Sequence, residues 1–289
     1  MSLSKKDYLS LFLILTIWAG NVIAIKLAVG ETAPLTAATL RFAIAGLLFL
    51  PFIKKVNRQT MWTILQIAIL MNVLHIGLLF VALKSLDAAS TAILLQTQIV
   101  FATLLGWLFF NETIRWRTWT GIGVAALGVL LMCGEPDLAN HPLSVVIMLV
   151  STLALSFSFV KMKHLQAVHP ATYIALMCLF STPFLGLASL IATPESWTAL
   201  PNINWHVFAP VLIFQCVLVS LSHILWQRLV HKGEIGKLTA YTLLSPFIAI
   251  LMSVVFLGEH LDWPMIVGGI LTMAGVGIIT MRRIQKGIA

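Results

Sequence analysis

Ten apolar runs, separated by short connectors that carry nearly all the charge, occupy most of this 289-residue chain. They lie near residues 8–28, 34–53, 60–83, 88–110, 116–133, 142–160, 170–192, 206–227, 238–257 and 263–281. A helix needs about 20 apolar residues to cross the hydrocarbon core, so ten of them take up about 200 residues and leave no room for a separate catalytic or binding domain. Only 10% of the residues are charged, against roughly 25% in a soluble domain. A soluble fold and a disordered chain are both excluded. The expected fold is an all-α integral membrane protein of ten transmembrane helices. Lys5 and Lys6 ahead of an apolar run resemble a signal peptide. However, Asn21 interrupts the run and no small-residue cleavage site follows, so it reads as a retained first helix.

The distribution of charge sets the expected orientation. With the N-terminus cytoplasmic, fifteen of the 18 Lys and Arg fall on cytoplasmic segments: Lys5, Lys6, Lys54, Lys55, Arg58, Arg115, Arg117, Lys161, Lys163, Arg228, Lys232, Lys237, Arg282, Arg283 and Lys286. Lys84 alone falls outside, and Lys26 and Arg41 fall within runs, toward their outer ends. Both termini are therefore expected in the cytoplasm. The net charge of +8 reflects this topology and not a nucleic-acid partner. The acidic residues sit in connectors or at run ends, so no fixed negative charge is expected at mid-membrane, where ion-coupled carriers often place one. Cys133, Cys178 and Cys216 show no CxxC or metal-ligand spacing, so neither metal nor cofactor is expected.

Displacing the chain on itself by 147 residues superimposes Phe109-Phe110-Asn111-Glu112 on Phe256-Leu257-Gly258-Glu259, and pairs Trp116 with Trp263, Gly121 with Gly268 and Gly128 with Gly275. Nearby shifts pair Pro34 with Pro170 and His75 with His223. Two five-helix repeats follow, about 1–138 and 139–289. Because five is odd, the second is inverted, the architecture of carriers that alternate access about a midplane site.

Trp18-Ala19-Gly20-Asn21 with Lys26, Pro34 followed by Leu40-Arg41-Phe42, and Leu95-Gln96-Thr97-Gln98 running into Phe109-Phe110-Asn111-Glu112 resemble the drug/metabolite transporter superfamily, in particular its EamA-type members. The resemblance covers essentially the whole chain. The LxLQxQ-like stretch and the glycine-rich helix after the Glu are most similar to exporters of cysteine and O-acetylserine. That similarity implies efflux of amino acids or related metabolites across the inner membrane. It also implies that helices five and ten form a dimer-forming or scaffold pair away from the substrate path, which allows a homodimer. The sixth segment, Leu155-Ser156-Phe157-Ser158-Phe159, departs from the Trp-to-Asn pattern of the first.

Polar side chains far from the run ends should face a cavity or a neighbouring helix. Trp18 and Asn21 share a face of the first helix. His75 lies inside the third, Gln96 and Gln98 on different sides of the fourth, and Ser158 in the sixth. His223 and Trp226 share a face of the eighth, and Tyr241 and Ser245 a face of the ninth. Gln and Asn offer donors and acceptors to ammonium and carboxylate groups, and Trp offers an aromatic wall, which suits a small zwitterion or polar metabolite. Of the two glutamines Gln96 is preferred, since neighbours two apart on a helix point about 200° apart. His75 and His223 are the groups within the spans able to titrate near neutrality. Lys26 is expected to snorkel to the headgroups. Arg41 is expected to clamp helix ends or to form an electropositive outer lip, and Pro246 to kink the ninth helix. Each polar residue also has a plain structural reading as an interhelical hydrogen bond. No HExxH, GxSxG or paired intramembrane Asp marks an enzyme. An inverted-repeat channel and a lipid or polyprenyl-phosphate flippase remain as alternatives to the exporter.

Overall fold

The computed structural model describes residues 5–110, 113–134, 136–162, 165, 167–232 and 241–285. Every one of the ten expected segments contains a helix: α1 (Lys6–Glu31), α2 (Pro34–Phe52), α3 (Arg58–Leu83), α4 (Ala88–Phe110), α5 (Trp116–Met132), α6 (Pro142–Met162), α7 (Pro170–Ala192), α8 (Trp205–Leu229), α9 (Thr242–Leu257) and α10 (Trp263–Met281). Eight of these are long and apolar enough to cross a membrane, and α5 and α9 are shorter apolar helices. Among the described residues there is no strand. Asn111, Glu112, Lys163, Glu234, Lys237, Lys286 and the expected start of the ninth segment at 238–240 lie outside the described residues. Starts are set by local chemistry. Pro34 and Pro170 occupy the first turns of α2 and α7, where a missing N–H costs nothing. The Asn57 side chain accepts from the Thr60 N–H at 2.7 Å to open α3.

The helices pack in pairs: α5 along α10, α2 along α7, α1 against α8 and α9, α6 against α3 and α4, and α4 against α9. The α5–α10 seam is the tightest. A Cβ built on Gly275 would meet the Gly121 carbonyl oxygen and the Ala125 nitrogen at 2.5 Å, and one on Gly268 would meet the Gly128 carbonyl oxygen at 2.5 Å. The order of these contacts makes the two helices antiparallel. Gly121, Gly128, Gly268 and Gly275 are thus engaged within one chain, whereas Gly123 and Gly277 have open space around them. Large apolar side chains cover the outside, including Leu127 and Leu130 on α5, Leu187 and Ile191 on α7, and Ile270 on α10. An apolar exterior this extensive is stable only in lipid.

The end of the bundle where α1 terminates is tied by polar contacts. Lys26 does not snorkel: its Nζ donates to the Leu86 carbonyl at 2.6 Å. Lys84 returns the contact to the Val29 carbonyl at 2.8 Å. The last carbonyls of α1 and the turn after α3 gain a cation each. The Glu259 carboxylate accepts from the Ala88 and Ala89 N–H groups at 2.7 and 2.9 Å, capping α4. Gly258, at φ 68°, turns the chain out of α9 so that this carboxylate reaches across. Pro246 is not a mid-helix kink. It sits in the first turn of the Ser245–Leu257 stretch, behind a 3-10 turn at Thr242–Leu244, where its ring disrupts no i−4 bond.

The seam yields a test. Gly275→Ala forces α5 and α10 apart and should destabilise the detergent-solubilised protein by about 1–3 kcal/mol. Gly123→Ala should be neutral or slightly stabilising. Thermal unfolding followed by circular dichroism distinguishes the two.

Candidate functional site

Besides α2, which ends in a 3-10 turn at Leu50–Phe52, four helices depart from regular α geometry. α3 is π-helical over Ile69–Ile76 and α8 over Phe214–Val219. α4 breaks at residues 95–96, between Ala88–Leu94 and Thr97–Phe110, and α9 begins as the 3-10 turn at Thr242–Leu244. π-bulges and interrupted membrane helices redirect side chains and release backbone groups, and both are common where ligands bind.

Around these irregularities the polar side chains gather. The Trp18 indole N–H of α1 donates to Ser222 Oγ of α8 at 3.0 Å. Its ring lies 5.5 Å from that of His223 and 5.2 Å from that of Trp226. The structure therefore brings Trp18, His223 and Trp226 together. The His223 side chain is exposed while both tryptophans are half-buried. Asn21, one turn beyond Trp18, has a buried Oδ1 with no partner.

His75 is held differently. Its Nδ1 lies 2.8 Å from Ser151 Oγ and 3.2 Å from the Ser151 carbonyl, and Ser151 Oγ donates to the His75 carbonyl at 2.9 Å. This reciprocal bond staples α3 to α6. Gln96, at the break in α4, is buried with an unpartnered Nε2. The neighbouring turn is pinned to α6 by Thr97 Oγ1 against Thr152 Oγ1 at 2.9 Å and by Ser156 Oγ donating to the Gln98 carbonyl at 2.9 Å. Gln98 itself is half-buried. Ser158 is fully buried and donates to the Leu155 carbonyl at 2.6 Å, so its hydroxyl runs along its own helix. Tyr241 stacks edge-on against Tyr8 at 6.0 Å. That places it near the start of α1, about 15 Å along the axis from Trp18 at 1.5 Å per residue. Ser245, half-buried, opens the regular part of α9.

Two features differ from the sequence expectation. Arg41 neither clamps helix ends nor forms an outer lip: it sits in the middle of α2 and is 6% exposed, with its guanidinium 5.2 Å from the Phe42 ring and 6.0 Å from that of Phe80. The run at 34–53 matched α2 closely, but hydropathy does not report which neighbouring helices enclose a side chain, so the burial of Arg41 was not legible. Gln215, in the π-helical stretch of α8, escaped notice altogether. It is 1% exposed and both its amide oxygen and nitrogen lack partners. Asn72, also missed, donates to the Met177 carbonyl at 3.2 Å. The signal for both was present, an amide inside an apolar run. Among the described residues no group of three or more His, Cys, Asp or Glu could hold a metal ion.

A profile of the EamA-like transporter family matches residues 5–134 and 142–281. A protein of Salmonella typhimurium, described as a probable amino-acid metabolite efflux pump, is 25% identical over 287 residues, spanning 96% of this chain and 95% of its own. The uncharacterized transporter YvbV of Bacillus subtilis is 28% identical, spanning 97% and 94%. A solved crystal structure shares the fold with a TM-score of 0.65 at 16% identity, over 96% of this chain and 98% of the other.

The His75–Ser151 staple can be measured. Membrane hydrogen bonds couple at about 0.6 kcal/mol on average and up to about 1.7 kcal/mol. A double-mutant cycle of His75→Leu and Ser151→Ala in reversible unfolding from mixed micelles should give a coupling in the upper part of that range. A coupling near zero would show that the two side chains do not support each other.

Proposed function

The chain belongs to the EamA-like transporter family, and from that premise we propose that it exports small amino acids or related polar metabolites by alternating access through the centre of its bundle. It is a multi-pass membrane transporter and not an enzyme. The observation that carries the reading is a set of buried amides without partners: Asn21, Gln96 and Gln215. An unmet buried amide group costs about 1–3 kcal/mol, a cost that a polar cargo bridging them would offset. Trp18 and Trp226 supply aromatic walls, His223 an exposed donor or acceptor beside them, and Gln98 and Ser245 further polar contacts as the helices move. In this reading His75 and Ser158 support the site through their bonds to Ser151 and Leu155, and Tyr241 closes the end near Tyr8. The efflux-pump description of the Salmonella relative supports the amino-acid class and the outward direction.

All ten helices cross the inner membrane in this proposal, with both termini cytoplasmic and halves 1–138 and 139–289 threaded in opposite senses. Two observations support it. Exchanging the halves, α1 for α6 and so on, turns the packing pairs into one another: α1–α9 becomes α6–α4, while α2–α7 and α5–α10 map onto themselves. The same exchange turns the Gly121–Gly275 contact into that of Gly268 with Gly128. A flippase would need several cations for a phosphate headgroup, yet Lys26 and Lys84 are committed to carbonyls, which leaves Arg41 alone away from the span ends among the described residues.

Purified protein in liposomes should accumulate L-cysteine or O-acetylserine in counterflow above protein-free controls. Trp18→Ala and Gln96→Ala should each lower the rate about tenfold, the equivalent of one hydrogen bond or ring contact, with reconstitution unchanged. Robust phospholipid scrambling without amino-acid counterflow would overturn the proposal.

A further inference from the structure

Arg41 is a permanent cation with no anion beside it among the described residues. A guanidinium does not lose its proton in proteins, and a buried charge is stable only when something offsets its lost hydration. Among the described residues its guanidinium takes part in no hydrogen bond or ion pair, and Nη1 is buried with no partner. The rings of Phe42 and Phe80 lie against it, and the thiols of Cys178 and Cys216 and the imidazoles of His75 and His223 lie within its electrostatic reach. The Cys216 thiol is turned to the Arg41 backbone carbonyl, 3.3 Å away, and leaves the guanidinium free. The described carboxylates of Asp7, Glu31, Asp87, Glu195, Glu259 and Asp262 all lie at helix ends or in connectors.

Ring faces attract a cation but accept no hydrogen bonds in the plane of its N–H groups. The remaining requirement is a planar anion. We propose that Arg41 is the anchor for the carboxylate of the transported molecule, so that the cargo class is monocarboxylates, zwitterionic amino acids among them. One cation balances one negative charge, and a phosphate dianion would call for a second. Lys26 and Lys84 cannot supply it, since both are bonded to backbone carbonyls at the bundle end. The His223 imidazole lies within the electrostatic reach of Arg41 and packs against the Trp18 ring, 5.5 Å away. An amino acid held by its carboxylate at Arg41 would thus direct its ammonium group toward the tryptophan faces and amides. The cargo class rests on the exporter reading above, but the anion chemistry of Arg41 does not.

The test pairs acids with their uncharged or decarboxylated counterparts. Thermal stabilisation of the full-length protein in detergent is titrated with propionate against propionamide, and with L-cysteine against cysteamine. Propionate and L-cysteine should stabilise the wild-type protein, while propionamide and cysteamine should not. Arg41→Gln should weaken the acids about 10- to 100-fold, the loss of a charge-assisted bidentate contact. Arg41→Lys should weaken them less, because it keeps the charge but not the fork. Should Arg41→Gln fail to fold, the paired probes on wild-type protein and Arg41→Lys still decide. Equal stabilisation by acid and amide, no stabilisation by either acid, or undiminished binding in Arg41→Gln would overturn the anchor. L-cysteine counterflow that survives in Arg41→Gln removes the anchor and leaves the exporter. Stabilisation by the acids without amino-acid counterflow removes the exporter and leaves the anchor.

Discussion

Inside a bilayer a polar group has no water to turn to, so each one must be met by another group of the same protein or by a molecule passing through. This requirement arranges the whole chain. The carbonyls that end α1 and follow α3 are met by Lys84 and Lys26. The free N–H groups opening α4 are met by Glu259, and His75 and Ser151 meet each other. What remains after these pairings is a short list of groups, Asn21, Gln96, Gln215 and Arg41 prominent in it, that the resting structure leaves unmet. In a soluble protein such groups would find water.

The contrast between the α5–α10 seam and the rest of the bundle follows from the same physics. Lipid tails are as apolar as leucine, so helices associate in a membrane by close contact and not by hiding apolar surface. Gly121, Gly128, Gly268 and Gly275 let two backbones touch, which makes this pair a rigid spine. The other helices carry π-helical stretches, 3-10 turns and a break at residues 95–96. Their backbone is less regular where the polar groups collect. A close-packed pair beside helices with irregular backbone is the division of labour that the proposed alternating access would use.

Much of this was legible beforehand. The ten apolar runs became helices at nearly the expected bounds because period and length follow from the hydrocarbon thickness alone. The glycine spacing in the fifth and tenth segments announced their close approach. The face shared by His223 and Trp226 was readable from their three-residue spacing. The partner ring, Trp18, was named from its own helix, but its contact with His223 spans some two hundred positions of sequence and no periodicity reports that. Gln215 and Asn72 obeyed the same rule that singled out Gln96 and were overlooked. Pro246 read as an internal kink because the 3-10 turn before it leaves no mark on hydropathy.

The sequence by itself determined that this chain is a helical membrane protein with few polar groups in its spans, since composition and pattern depend on the solvent each residue must face. Only the tertiary structure decided which of those polar groups are satisfied. Lys26 turned from the headgroups to a carbonyl, Ser158 turned along its own helix, and Arg41 lies buried in the middle of α2 with no anion among the described residues. Satisfaction depends on which atoms of distant helices come within 3 Å, and that is set by packing.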